Sequence, residues 1–484
     1  MLGMTQQVAL VPVFLYFWSS KTLAAWLVLY AAGNLFLIGD AGLQLRAINR
    51  FLSFRAGVDS NGRTADFYAG MLQTYLILVV LLVAALLVSA CFLRPSELFG
   101  FSASSDFDAS FIVMTVGILL TLPSNLATGL YRARARYGRA VWLQCAVMLI
   151  AQLGQLVAVA TSGSLLAVSV AYVVPQLLLV AYLLWVDVYR MFPFLSAASV
   201  RKSWRWSIGQ FRSSLPFAIA SGTEIALQNL PLLLVSAFVN DRVAVAQWGL
   251  TRVVASLLRA LCLQATLPLA AELGHDYAIG ASEQLRSLYA RGSVLVTLLA
   301  STVVSGLLAF WPDFFVLWTR GAIVYDPLLT LTLLIGAIAV APSILAVAFA
   351  TYSGRGLLLA QTKGLQLAVL LILALLLTPQ MGLLGTAIAV VLSDLVVQFG
   401  MLGFLIVAQT LHRPVRHLIY VVVLMVIVTL SGWGLGAAIR SLAPGTGIVQ
   451  FICECTMWLI VVTLLALTLT NRAARERMVS TIPN

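Results

Sequence analysis

Apolar runs of about 18–28 residues recur from one end of this 484-residue chain to the other, each long enough to cross a hydrocarbon core of roughly 30 Å as a helix. A chain crossing lipid must satisfy every backbone N–H and C=O internally, which leaves very few folds open to it. The runs predict an all-α integral membrane protein with about 14 transmembrane helices. They lie near 1–18, 22–43, 68–93, 109–131, 140–161, 165–187, 215–239, 244–268, 292–311, 327–352, 364–380, 382–409, 418–438 and 449–470. Composition agrees: 61% of residues are hydrophobic and only 10% charged, far from a soluble average.

The net charge of +12 does not point to nucleic acid, because the basic residues are scattered singly in short loops without interleaved aromatics. Numbering the connections alternately puts 22 Lys and Arg on one side and five on the other, with Arg252 and Arg259 inside a span. That asymmetry orients a membrane protein and places both termini in the cytoplasm. The basic links at 46–63, 132–139 and 190–212 serve this orientation and attract anionic headgroups of membrane lipids. The five cysteines are an odd number in or beside apolar runs, so no disulfide framework is implied. Cys453 and Cys455 diverge by about 200° on a helix and have no His nearby, so no metal and no cofactor is expected. The N-terminus lacks a positive n-region and a small-residue cleavage site, and reads as no removable signal.

The most unusual charges sit in the apolar hairpin from Leu215 to Leu269, whose tip is Asn240-Asp241-Arg242. Glu224 lies inside its first run, and Arg252 and Arg259 inside its second, where an Arg at a helix centre costs about 2.5–3.5 kcal/mol. Each arginine is about 14–15 Å from the nearer end of its run at 1.5 Å per residue, beyond the reach of a snorkelling side chain. Both must face protein or water. Seven residues apart, they share a helix face with Trp248, Ser256 and Leu263; Ser214, Phe217, Ser221, Glu224, Gln228 and Pro231 form a matching stripe on the partner run. Glu224 and Arg259 are nearly equidistant from the tip, so they are expected at one depth, close enough to pair. Two readings follow. Either the pair only holds two helices together, or the arginines line a water-filled cavity and receive an anion, with Glu224, Gln228 and Ser256 beside them.

Three other acids, Asp394, Glu454 and Asp40, are candidates for binding a proton or cation, or else for hydrogen bonds between helices. Asn125 near Pro123 and Asn229 near Pro231 mark kinks satisfied by an amide, or hinges. His275, His412 and His417 fall in loops and are expected to be solvated. The polar link after Asp40 is read as starting with an interfacial helix. Ala127-Thr128 before Arg132, and Ala350-Thr351 before Arg355, give a weak repeat offset by about 220 residues, or six spans. The chain therefore divides into 1–213 (helices 1–6), 214–410 (helices 7–12) and 411–484 (an extra helix pair and tail).

The segment Val243-Ala244-Val245-Ala246-Gln247-Trp248-Gly249-Leu250-Thr251-Arg252 to Pro268 resembles the eighth helix of the polysaccharide transporters, relatives of the O-antigen flippases in the multidrug/oligosaccharidyl-lipid/polysaccharide (MOP) exporter superfamily. Met381-Gly382-Leu383-Leu384-Gly385-Thr386-Ala387-Ile388-Ala389 is similar to the twelfth-helix pattern, and Gly39-Asp40-Ala41-Gly42-Leu43 to the end of the second. The start departs from the family: Phe17-Trp18-Ser19-Ser20-Lys21 stands where a Leu-Gly-x-x-x-Tyr-Gly-like stretch is usual, so that either the start is placed too far downstream or the first helix is short. The resemblance implies a MATE-like MOP fold, two pseudo-symmetric six-helix lobes around a central cavity. It further implies a non-enzymatic flippase of undecaprenyl-pyrophosphate-linked oligosaccharide in the bacterial inner membrane, serving O-antigen or exopolysaccharide synthesis beside polymerase and export machinery. The diphosphate contact it implies carries over to Arg252 and Arg259.

Two competing classes are a cation-coupled multidrug exporter of the same superfamily and a membrane-embedded polysaccharide polymerase or ligase. The first expects acids to dominate the cavity. The second expects a sizeable outer loop or a His/Asp/Glu cluster near the interface, and neither is visible.

Overall fold

The computed structural model describes residues 2–56, 62–101, 106–197, 202–353, 355–442 and 448–480, the side chains of 2–7, 55–56, 197, 271, 278 and 465–480 excepted. Every regular element among them is helical: α1 (Leu2–Phe17), α2 (Ser20–Leu35), α3 (Leu43–Ala56), α4 (Gly62–Phe92), α5 (Pro95–Leu98), α6 (Phe107–Thr121), α7 (Ser124–Ala133), α8 (Tyr137–Thr161) and α9 (Leu165–Tyr182). There follow α10 (Val188–Met191), α11 (Trp204–Phe238), α12 (Arg242–Ile279), α13 (Ser282–Thr319), α14 (Pro327–Tyr352), α15 (Gly356–Ser393), α16 (Phe404–Thr410), α17 (Pro414–Leu442) and α18 (Ile448–Ser480). Eleven helical stretches are long and apolar enough to cross a membrane, and two shorter apolar ones, Val8–Phe17 and Ile448–Leu464, accompany them among the described residues.

Local chemistry sets the boundaries. The run expected at 327–352 is the helix Pro327–Tyr352, because the Asp326 carboxylate accepts from the backbone N–H groups of Leu328 and Leu329 and Pro327 fills the first helical position. The run expected at 215–239 begins eleven residues early, at Trp204, where Ser203 caps the first turn. The run at 109–131 is two helices, since the chain turns at Leu122 and Pro123. The polar link after Asp40 does begin as a helix, α3.

Gly382 adopts φ 59° and ψ −130° inside α15, a conformation that favours glycine. There the chain reverses. Thr378 and Thr386 meet through their hydroxyls at 2.8 Å, and Lys363 reaches Gln398 at 3.0 Å, so the arms on either side of Gly382 run antiparallel. The second arm continues as a π-helical turn, Asp394–Gly403.

The chain forms two compact units. The first comprises Met1–Val253 and Gly354–Met401. Within it α11 packs along the α15 hairpin and along α2 and α3, α9 along α6 and α8, and α7 along α3. The approach of the α2–α3 corner to α11 is close enough to require glycine: Gly42 has φ +70°, and a Cβ there would stand 2.7 Å from the Ser214 carbonyl oxygen. Asp40, two residues earlier, ties the corner down, accepting from the Tyr75 hydroxyl at 2.7 Å, the Asn125 amide at 3.1 Å and the Gln44 backbone N–H at 3.2 Å.

The second unit comprises Val254–Ser353 and Leu402–Asn484. Here α17 packs along α13, with α14 and α18 beside them. Small residues allow the close approach: Gly432 faces Ser305, Gly436 faces Ala309 and Gly306 faces the Trp458 ring. Ala309, Phe310, Ile439 and Trp458 form the core of this contact, and the Trp458 indole N–H donates to the Gly432 carbonyl at 3.0 Å. Arg440 pairs with Asp313 at 2.6 Å. His417 corrects the expectation of a solvated side chain: its Nε2 lies 2.7 Å from the Ser293 hydroxyl on α13.

Candidate functional site

Proline creates the first half of the site. Pro231 lacks an N–H, so the carbonyl of Leu227, four residues earlier, loses its helical partner. Arg252 supplies one: its Nη2 donates to the Leu227 oxygen at 3.1 Å. The same guanidinium lies 5.2 Å from the centroid of the Trp248 ring, one turn back on α12, a cation–π contact. Trp248 is fully buried, and its indole N–H has no acceptor among the described residues. Arg252 itself is half-buried, and its guanidinium is a planar fork of five donors.

Asn229 donates to the Ile225 carbonyl at 2.8 Å, so the amide nearest the proline satisfies the helix's own backbone.

One turn before Leu227, Glu224 forms the second half. Its carboxylate lies 3.0 Å from the Lys363 ammonium and accepts from the Gln228 amide at 3.3 Å. The Lys363 side chain is only 11% exposed, whereas that of Glu224 is 48% exposed, so the carboxylate covers the ammonium from the open side. Lys363 also donates to the Gln398 side-chain oxygen at 3.0 Å, and Gln366 donates to Asp394 at 2.5 Å. These two rungs join the arms of the α15 hairpin, and all four residues are buried. A carboxylate left half open in a membrane-spanning helix is costly against hydrocarbon. Glu224 and Gln228 share one face of α11, and both are exposed.

Ser256 and Arg259 lie farther along α12, half-buried, in the second unit; the pairing of Arg259 with Glu224 stays a prediction. Glu454 is buried in the second unit and accepts from Gln450, one turn earlier on α18, at 2.8 Å. Asp40 is held by the three donors of its corner. Asp394 faces Gln366 inside the hairpin.

Sequence reading missed Lys363. Counted with a loop, it sits in the second turn of α15 and is buried. A signal was present, since Lys363 and Gln398 are nearly equidistant from Gly382, as are Gln366 and Asp394. It also missed Asp187, whose fully buried carboxylate binds Arg139 (Nε to Oδ2 3.0 Å) and accepts from Tyr131 and from Tyr182 at 3.2 Å. A π-helical turn, Leu183–Asp187, brings that carboxylate into place. No group of three or more His, Cys, Asp or Glu positioned to hold a metal occurs among the described residues.

No family model matches this sequence, and no curated protein does. The fold does have solved counterparts. The lipid II flippase MurJ in an inward closed conformation superposes with a TM-score of 0.70 at 12% identity, over 96% of this chain and 97% of that one. An inward-facing multidrug resistance MATE family transporter of the MOP superfamily gives 0.63 at 14% identity, over 88% and 95%. A MOP superfamily transporter from Pyrococcus furiosus, described as having a binding pocket of reversed polarity, gives 0.53 at 16%, over 88% and 94%. At such identities the likeness is one of fold, and it spans nearly the whole chain: this is a multi-pass membrane protein with the fold of the MOP superfamily transporters.

Proposed function

We propose that this protein is a flippase that carries undecaprenyl-pyrophosphate-linked oligosaccharide from the cytoplasmic to the outer leaflet of a bacterial inner membrane, for O-antigen or exopolysaccharide synthesis. The polysaccharide transporter family, suggested by the sequence motifs, belongs to this reading. So does the layout: six helices in 1–213, six in 214–410 and a pair in 411–484, with both termini cytoplasmic. Counting the two arms about Gly382 separately and adding the two shorter apolar helices gives the fourteen crossings this layout needs.

The observation that carries the reading is a half-buried guanidinium, Arg252, beside the exposed Glu224 face of α11 within a membrane-spanning stretch, a face that this reading takes to meet water. A planar fork of donors suits a diphosphate, which has no need of acids or metal to be held. The lipid tail would stay in the bilayer while the headgroup crosses along that face, the lobes rocking between opposite-facing states. Polymerase and export machinery are the expected partners downstream.

The cation-coupled drug exporter has an observation in its favour too, the acids Asp40, Glu224 and Asp394 within or beside spans. Reconstitution separates the two readings. Proteoliposomes holding the purified protein should translocate a polyprenyl-diphosphate oligosaccharide, read as loss of lectin or glycosidase access on one side. The same protein expressed in a drug-sensitive host should leave drug tolerance unchanged. Raised tolerance with no movement of the lipid-linked sugar would reverse the assignment.

A further inference from the structure

The Glu224–Lys363 pair has a geometry that neither a simple helix tie nor a fixed phosphate clamp explains. In a tie between helices both partners are normally enclosed. Here the cation is enclosed and the anion is not: the ammonium is 11% exposed, behind a carboxylate that is 48% exposed. Lys363 is held from behind by the Gln398 oxygen at 3.0 Å, while Gln228 steadies Glu224 on the open side at 3.3 Å. The carboxylate occupies the place from which an outside anion would approach the ammonium.

From this arrangement we infer that Lys363 is a second anion-binding group, for a phosphate diester or diphosphate, and that Glu224 is its resident counter-ion, which must take up a proton before the anion can enter. The inference rests on the flippase reading only for the identity of the natural anion. In the free site the charges of Glu224 and Lys363 cancel. An arriving phosphoryl group meets the Glu224 carboxylate first and is repelled by it. When Glu224 gains a proton from water, its hold on Lys363 weakens, the ammonium turns its donors to the phosphoryl oxygens, and Glu224 as a neutral acid can donate a hydrogen bond to the same group. On departure of the anion the proton leaves and the ion pair re-forms. One proton is thus taken up for each anion bound.

The charged neighbours leave Glu224 as the group placed to exchange that proton. On the α15 hairpin these are Lys363 itself and Asp394, the latter buried against Gln366. On α12 it is Arg252, bound at the next turn of α11 through the Leu227 carbonyl, with Arg259 farther along in the second unit. On the α2–α3 corner it is Asp40, saturated by Tyr75 of α4, Asn125 and Gln44, with Arg46 and Arg50 following on α3. Arg205 and Arg212 lie on α11 itself, about three or more turns earlier.

The experiment is calorimetric titration of the full-length protein, in nanodiscs of neutral phosphatidylcholine, with P1,P2-dimethyl diphosphate, a diester whose charge is constant between pH 6 and 8. Uptake of one proton makes affinity rise about tenfold per unit fall in pH, and the heat depend on the buffer's ionisation enthalpy. Glu224→Gln should bind at pH 8 at least as tightly as the wild type does at pH 6, with no buffer dependence. Lys363→Met should lose binding. Should that variant fail to fold, the double variant Glu224→Gln/Lys363→Met, which leaves neither charge unpaired, should fold and still not bind.

A Glu224→Gln protein with the wild-type pH slope, or a double variant that binds normally, overturns the inference. Nanodiscs containing phosphatidylglycerol provide a further arm: if that lipid abolishes the diester's heat, the site takes a phospholipid headgroup and the diphosphate assignment fails. The flippase reading fails separately. Loss of transport in Arg252→Ala with a pH slope untouched by Glu224→Gln leaves it standing, whereas proton-linked binding without any translocation of the lipid-linked sugar removes it.

Discussion

Replacing Arg252 by Ala is expected to lower translocation of a diphosphate-linked sugar by roughly 10–100-fold, the loss of one or two charge-assisted hydrogen bonds at about 1.4 kcal/mol per tenfold. Folding should be little affected. The Leu227 carbonyl would lose its donor, but it lies in a half-buried turn beside Glu224 where water can replace the guanidinium, so a stability change of about 1 kcal/mol is the scale to expect. Arg252→Lys makes the more informative comparison. It keeps the charge and gives up the planar fork and the stacking on Trp248. If a point charge sufficed, this variant would transport normally; the geometry of a bidentate clamp predicts an intermediate defect. Surface polysaccharide in cells carrying each variant, normalised to membrane-inserted protein, provides the measurement.

Asp187→Ala is expected to be the most destabilising single change in the first unit. The carboxylate is wholly buried and serves Arg139, Tyr131 and Tyr182 together. Removing one partner of a buried ion pair costs about 3–5 kcal/mol. Arg139 is 41% exposed and can turn to water, which brings the expected loss to roughly 2–4 kcal/mol. Asp187→Asn, which keeps an oxygen for the buried Tyr131 hydroxyl, should lose less. Thermal unfolding in detergent, followed by fluorescence size exclusion, should rank the proteins wild type, Asn, Ala. Because the π-helical turn directs this carboxylate inward, equal stability in all three would mean that the turn carries no packing role.

How much of this was legible beforehand depended on how local the determinant was. Pro327 after Asp326, Gly382 between two apolar runs and Gly42 after Asp40 act within a few residues, and each boundary or turn falls where those residues put it. Arg252 was legible as a residue that could not face lipid, because that argument needs only its depth. Its actual partners were not. The Leu227 carbonyl is set free by Pro231, four residues on along α11, a helix other than the one that carries Arg252, and no side-chain pattern advertises a backbone acceptor. Lys363 was misread because the start of α15 was placed eight residues late, which moved a buried ammonium into a loop. The partners of Asp187 were out of reach for a related reason: a π-helical turn shifts the register, so a 3.6-residue period extrapolated from α9 points its carboxylate elsewhere.

The central physical claim is that the face of α11 bearing Glu224 and Gln228 meets water inside the membrane. A single cysteine at Gln228, in a protein whose Cys91, Cys145, Cys262, Cys453 and Cys455 are replaced by Ser or Ala, tests it with a membrane-impermeant maleimide in right-side-out and inverted vesicles. Labelling from at least one side, slowed by a diphosphate diester, is the result predicted. Labelling only by a lipid-soluble maleimide would place that face against hydrocarbon and contradict the account.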